Sequence, residues 1–422
     1  MLVILNFIAW FWVYFFLKGF ARNLYLISAM LFGQSYFFIS FFVLFFGYEY
    51  PAIIPSDYID SALFYSFIAG CFYSLIFYLT VSKKNTVIDY KFKRTFLHFF
   101  NLFPKSNFYI LLVFPLLAFI WWSIYEVSYY IGMYDRWEWW YGSLNLRSQF
   151  DFTIHGLLVS YLVLGLAKTF NKNKYIVLFL NFLLVFSVVF LVSFDGSRRE
   201  LLLPIFAFFI CGLYSYFNES YFVAKLYFFK SVIIILFISY ISIGRSVVGW
   251  YSLFNKIEFS IVEFLTNIFS PMSTLNVTTR MLEYIESNGY QGLGGYFSAL
   301  VNTVFPKFLV GSYYGGDPVV TKIHHELGWV GFDFGFLAES IYAGGLFLVI
   351  IMHSIVGYYH AFLINRVLIK NMSYALFFLL SFHLALIQAL RSDFMNFLKW
   401  GIYPAIFFSL IYFIFKRINK GN

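Results

Sequence analysis

Asp195-Gly196-Ser197-Arg198-Arg199-Glu200 carries the densest chemistry in this chain. Two adjacent arginines offer two planar guanidinium forks, each suited to bidentate recognition of phosphate or carboxylate. Gly196-Ser197 before them frees backbone N–H groups at a helix start, where they face an anion well. Apolar stretches flank the hexapeptide at 175–193 and 201–217, and charges at the end of a membrane span are costly without partners. Two uses fit. One is a phosphate clamp; the other is an anchor, in which Arg198 pairs with Asp195 or Glu200 and snorkels at a helix end.

The second cluster is His324-His325-Glu326-Leu327-Gly328-Trp329, continuing through Asp333 to Leu337-Ala338-Glu339-Ser340-Ile341-Tyr342-Ala343-Gly344-Gly345. It sets two histidines and three acids just before and within the start of an apolar stretch. Neighbouring histidines project in different directions and the spacing is not HExxH, so the pattern does not indicate a metal. His325, His324 or one of the acids Glu326, Asp333 and Glu339 can serve as a general base toward a hydroxyl; equally, each can be an interfacial polar residue. We favour His325 as the base, because histidine titrates near neutral pH unaided. Glu339 lies inside an apolar run, and a buried carboxyl needs a partner such as Arg245, Arg280 or Arg391. These three isolated arginines join Arg198 and Arg199 in one anion site if the fold gathers them. His155, His353, His360 and His383 fall in or near apolar stretches and read as packing or interfacial residues.

The elements that must position these groups follow from composition. Hydrophobic residues make up 61% of the 422 residues, charged residues 12%, and the mean hydropathy is +0.77. A soluble domain runs near 45–50% apolar and about 25% charged, so a soluble fold is excluded in favour of an all-α polytopic membrane protein. Apolar stretches near the roughly 20 residues that a span requires occur at about 1–17, 24–47, 61–82, 108–127, 152–167, 175–193, 201–217, 231–249, 337–363, 372–390 and 401–415. This gives about eleven spans, three of them short, in one transmembrane domain over 1–422. The first stretch lacks a basic n-region and a small-residue cleavage site, so it reads as a retained span.

The connections sort by charge. Lys18 and Arg22, the group from Lys83 to Lys105, Lys168 to Lys174, Lys225 and Lys230, Arg366 and Lys370, and Lys416 to Lys420 hold 18 of the 29 basic residues, with only Asp89 and Glu219 as acids. These connections alternate with the others, and the positive-inside rule makes them cytoplasmic. The N-terminus is then outside and the C-terminus inside. The net charge of +9 is therefore mainly a topology signal, and the scattered basic residues do not suggest nucleic-acid binding. Lysine dominates the inner set and arginine the outer set, which suggests specific anion sites on a net acidic outer face.

The one long outer connection, about 244–336, can form a subdomain of short helices. Residues 255–269 have apolar positions at helical spacing, 277–288 read as a short helix carrying Arg280, and Gly292, Gly294 and Gly295 break the chain after it. SYYGGDP at 312–318 is a turn, and the amphipathic pieces suit a membrane surface. Trp121, Trp122, Trp137, Trp139 and Trp140 suit an interfacial aromatic belt. Cys71 and Cys211 lie in apolar stretches and offer no disulfide framework. There is no solenoid repeat, Walker loop, dinucleotide fingerprint, GxSxG or DxD motif, so any chemistry belongs on the outer side.

Three local patches resemble the bacterial O-antigen and capsule repeat-unit polymerases, commonly called Wzy. GSRREL at 196–201 is similar to that family's G-S-R patch opening a span. LAESIYAGG at 337–345 is similar to its acid–aromatic–Gly patch after the long loop, and FPKFL at 305–309 to its Pro-basic turn. The resemblance extends to the architecture of many spans with one late outer loop. It implies a metal-independent glycosyltransferase of the GT-C type in the bacterial cytoplasmic membrane, with its site facing the periplasm and no cofactor. It also implies undecaprenyl-diphosphate-linked oligosaccharides as substrates, within membrane lipids and alongside a chain-length regulator membrane protein. The related O-antigen ligases carry a histidine in the late outer loop, to which His324-His325 is the nearest match. The competing readings are such a ligase, a lipid-linked oligosaccharide flippase or other transporter, which would show repeats and charges buried near mid-membrane, and a membrane acyltransferase.

Overall fold

The computed structural model describes residues 1–17, 21–22, 24–30, 32–33, 56–81, 274–304 and 335–368, together with Lys225, Phe229 and scattered positions between 378 and 417. By contacts the chain divides into two compact units, Met1–Phe92 with Phe269–Ile402, and Lys93–Ile268 with Tyr403–Asn422. The first unit holds every bounded element among the described residues. Its described residues are helical, with no strand among them. The elements are α1 (Leu2–Phe16), a 3₁₀ turn (Ser56–Tyr58) leading into α2 (Ile59–Thr80), α3 (Thr274–Asn288), α4 (Leu293–Val304) and α5 (Phe336–Leu368). Two helical stretches, Ser56–Thr80 and Phe336–Val367, are long and apolar enough to cross a membrane. α1 is equally apolar but has only 15 residues.

Small residues set how closely these helices approach. Ala62, Ser66, Ala69, Gly70, Tyr73, Ser74 and Phe77 form the buried stripe of α2, at the i, i+4, i+7 spacing of one helix face. Ser66 and Gly70 open a groove for the indole of Trp10, which is 2% exposed. A Cβ added at Gly70 would lie 2.9 Å from that ring. Helices without a hydrophobic driving force between them associate through such small-residue contacts and interhelical hydrogen bonds. Asn6 Nδ2 donates to the Leu63 carbonyl at 2.6 Å, and Trp10 Nε1 to Ser66 Oγ at 3.4 Å. Further along, Trp12 meets Tyr78, so α1 and α2 run in the same direction.

α5 also runs parallel to α2. Tyr73 Oη lies 2.8 Å from His360 Nδ1, and Asn365 Nδ2 donates to the Thr80 carbonyl at 2.7 Å. The closest approach is at Gly357, where a Cβ would sit 2.5 Å from the Tyr73 carbonyl oxygen. Backbone cannot yield as a side-chain tip can. Gly357→Ala should therefore force α2 and α5 apart, with a penalty of about 1–3 kcal/mol for overpacking. Gly294, in the first turn of α4, has nothing within 4 Å of an added Cβ. Thermal unfolding of the detergent-purified protein should fall for Gly357→Ala and stay level for Gly294→Ala.

The two ends of this bundle differ in charge. At the end where α2 and α5 begin lie Asp57, Asp60, Glu286 and Glu339. At the opposite end, Arg22 donates to Tyr14 Oη at 2.7 Å and Arg366 stacks over the Phe362 ring at 4.6 Å. Arginines held at an aromatic rim are typical of helix ends that reach a membrane–water boundary.

Candidate functional site

The acidic end holds the described part of the second sequence cluster, from Gly335 onward. Glu339 sits in the first turn of α5, 1% exposed, with its backbone N–H bonded to the Gly335 carbonyl at 3.0 Å. Around it Phe336, Leu337, Ala338, Ile341 and Tyr342 are also buried. Beside it packs α3, whose Leu275, Val277, Met281, Tyr284 and Ile285 are buried. Their spacing is that of one apolar face; Glu283 and Glu286 point outward. The join is a ring contact between Tyr284 and Tyr342, with centroids 5.8 Å apart. Arg280, half-buried, is one turn before Tyr284 on α3, and Glu339 is three residues before Tyr342 on α5. A second tie runs to the 3₁₀ turn before α2, where Tyr58 Oη donates to the Glu286 carboxylate.

The Gly344-Gly345 pair breaks α5. Gly345 has φ +60°, a left-handed conformation that glycine adopts without a Cβ penalty. A broken helix leaves carbonyls without intrahelical donors, and in a membrane these must be satisfied internally. The Gln291 N–H bonds the Tyr342 carbonyl at 2.9 Å. Tyr290 closes over Gly345, its ring 3.4 Å from where a Cβ would be, and Leu293 lies 3.5 Å from the corresponding point at Gly344. The turn between α3 and α4 is thus seated on the break, which turns a glycine pair into a docking surface.

The expected helix at 277–288 is present and starts three residues earlier, at Thr274. The expected chain break after it is corrected in detail. Gly289 and Gly292, with φ +78° and +82°, make the turn, whereas Gly294 and Gly295 belong to the first turn of α4. Gly292 accepts the Tyr296 N–H at 3.2 Å, so it ends the turn by starting the next helix, a position where glycine is tolerated. α4 buries Tyr296 and leaves Leu293, Phe297 and Val301 exposed.

Arg280 and Glu339 are therefore carried by helices that pack together. Arg198, Arg199, Arg245, Arg391, His324, His325, Glu326 and Asp333 lie outside the described residues, as do Asp195, Glu200, His155 and the tryptophan cluster. Among the described residues no group of three or more His, Cys, Asp or Glu is arranged to hold a metal ion. The chain matches no protein-family model, no curated protein and no solved structure.

Sequence reasoning passed over a second polar centre. His353, His360 and His383 are 2%, 0% and 0% exposed, so none is interfacial. Ser28, Tyr73 and His360 form a hydrogen-bonded string, with Tyr25 and Ser74 beside it at 2.7 Å from each other. A signal was available: His353 and His360 are seven residues apart, which puts them on one face of a helix.

Proposed function

We propose that this chain is a polymerase of lipid-linked oligosaccharide repeat units at the outer face of the bacterial cytoplasmic membrane. The growing glycan leaves its undecaprenyl diphosphate and passes to a sugar hydroxyl of a new repeat unit. The sugar C–O bond to phosphate breaks, the diphosphate departs with its negative charge, and the base takes the hydroxyl proton. Lipid diphosphate is already a good leaving group. The protein need only stabilise the developing charge, which preorganised arginines do without a metal.

The observation that carries this reading is the packing of α3, with Arg280, against the LAESIYAGG segment, with its buried Glu339, at the acidic end of the bundle. The GSRREL patch and the charge alternation along the chain support it. The parallel course of α1, α2 and α5 agrees with their being three odd-numbered spans. Reporter fusions after Lys84, Lys174 and Lys370 should score cytoplasmic, and fusions near Asp57, Tyr141 and Ser312 external. An external score at Lys174 breaks the eleven-span arrangement. The function itself is tested by deletion: cells that lose this chain should keep single repeat units on undecaprenyl diphosphate and lose polymer, and re-expression should restore it.

A transporter of the same lipid-linked oligosaccharides is the second reading. The buried Ser28–Tyr73–His360 string favours it, because ionisable groups deep in a span mark ion or proton pathways more often than outer-face chemistry. Loss of a flippase would strand the repeat units on the cytoplasmic leaflet, so the leaflet in which they accumulate separates the two. An O-antigen ligase would share the chemistry and differ in its acceptor.

A further inference from the structure

The two long apolar helices carry their own depth scale. Phe336 and His353 lie 17 residues apart, which in a straight helix is about 25 Å, yet their ring centroids are 4.5 Å apart. The chain therefore reverses at Gly344-Gly345, and Phe336–Ala343 folds back along the part of α5 that crosses, from Gly345 onward. The glycine pair is the tip of this hairpin. Asn365 Nδ2 meets the Thr80 carbonyl and Gly357 meets Tyr73, so counting back along α2 and α5 brings Asp60 and Gly345 to one level. Twenty residues separate Asp60 from Thr80, and twenty separate Gly345 from Asn365. Each interval rises about 30 Å, roughly the hydrocarbon thickness of a bilayer. Between these ends neither interval holds Asp, Glu, Lys or Arg. Both expose apolar side chains: Phe64 and Leu75 on α2, and Leu346, Phe347 and Ile355 on α5. Exposed Asp60 bounds this zone at one end, and Arg366, stacked on Phe362, at the other. The hairpin tip thus stands at the outer hydrocarbon boundary.

α4 starts at that tip. Leu293 lies 3.5 Å from a Cβ placed on Gly344, Tyr290 covers Gly345, and Tyr290 also hydrogen-bonds Tyr65 on α2. From there Leu293, Phe297 and Val301 recur every four residues, 42%, 55% and 38% exposed, while Tyr296 is 1% exposed. α4 has no charged residue. An exposed apolar stripe at the level where hydrocarbon gives way to water has a neighbour of matching chemistry, the acyl chains of the outer leaflet. The stripe is also continuous with the lipid-facing side of α5, because Leu293 lies against Gly344, two positions before exposed Leu346. We propose that α4 is an interfacial helix, laid on the outer leaflet with Leu293, Phe297 and Val301 among the acyl chains. Its partner is the bilayer rather than a second protein. Being uncharged, α4 binds by apolar burial and not by attraction to anionic headgroups, which Asp57, Asp60 and Glu286 at the same end would repel. Anchored in this way, α4 pins the Tyr290–Gln291 turn on the hairpin tip and holds α3, with Arg280, at a fixed depth. The proposal requires only that α2 and α5 cross the membrane, and it is the same for a polymerase and for a transporter.

The test is site-directed spin labelling of the full chain in phosphatidylcholine vesicles, with Cys71 and Cys211 replaced by alanine. Single labels go on Phe297→Cys and Val301→Cys in the stripe, on Phe347→Cys as the hydrocarbon reference, and on Ser287→Cys, exposed on α3, as the water reference. Relaxation is measured with oxygen, which concentrates in hydrocarbon, and with a water-soluble nickel chelate. The Phe297 and Val301 labels should follow Phe347, with oxygen the stronger relaxant, and Ser287 should show the reverse. If one stripe variant does not fold, the other decides. Stripe labels that follow Ser287 would overturn the proposal. So would labels shielded from both relaxants, which would mean a protein cover, or dipolar broadening between labels, which would mean a second copy. A Phe347 label in water would remove the boundary itself, and the proposal with it.

Discussion

Alanine at Arg198 or Arg199 should abolish polymer while the protein still folds in the membrane at its normal level. Each guanidinium is expected to bind the lipid diphosphate, and its worth rises as the bond to the sugar breaks and charge builds on the leaving oxygen. Losing one preorganised donor at such a charge costs on the order of 2–4 kcal/mol of transition-state stabilisation, roughly a hundredfold to a thousandfold in rate. Lysine should rescue poorly, since it keeps the charge and loses the fork. The check is polymer length on gels alongside immunoblots of membranes. Full-length polymer from both alanine variants at normal abundance would make these arginines helix-end anchors, paired with Asp195 or Glu200.

The other large effect separates base from organiser. His325→Ala should stop transfer and leave binding of the lipid diphosphate intact, because removing a base touches the reacting hydroxyl and not the leaving group. General-base catalysis contributes about 10²–10⁴-fold, so the residual rate should be small but measurable. Glu339→Gln should weaken both binding and transfer. Its side chain is enclosed, and in our account its charge organises the arginines that hold the diphosphate, so neutralising it loosens them. Single-repeat transfer and donor binding, measured separately on purified protein, distinguish the roles. Normal transfer by His325→Ala, with donor bound but not transferred by Glu339→Gln, would make the carboxylate the base.

How far the sequence could be read depends on the kind of signal. Membrane helices were legible because a span must be apolar along its length: the stretches 61–82 and 337–363 fall on α2 and α5. The helix around Arg280 was legible because its apolar residues keep helical spacing against a polar background. The break at Gly344-Gly345 was not. Within an apolar run two glycines cost little in pattern, and the break shows only in the folded chain, in the φ of +60° at Gly345 and the seating of Tyr290 and Gln291. The histidine centre was missed for a related reason. A lone histidine in an apolar stretch looks the same whether it packs or bonds, and its partners Ser28, Tyr73 and His383 come from distant parts of the chain. Of the proposed site, the sequence supplies ten residues, five arginines and five base or organiser candidates, and the described structure brings the helices of two of them, Arg280 and Glu339, together.

Polymerisation by the purified protein is the most direct measurement. Full-length chain in lipid vesicles is given undecaprenyl-diphosphate-linked repeat units and no metal, and the products are separated by length. The account predicts a ladder of lipid-linked oligomers that grows with time, persists in chelator and disappears with Arg198→Ala. Repeat units that cross from one leaflet to the other but never lengthen would contradict it and identify a transporter.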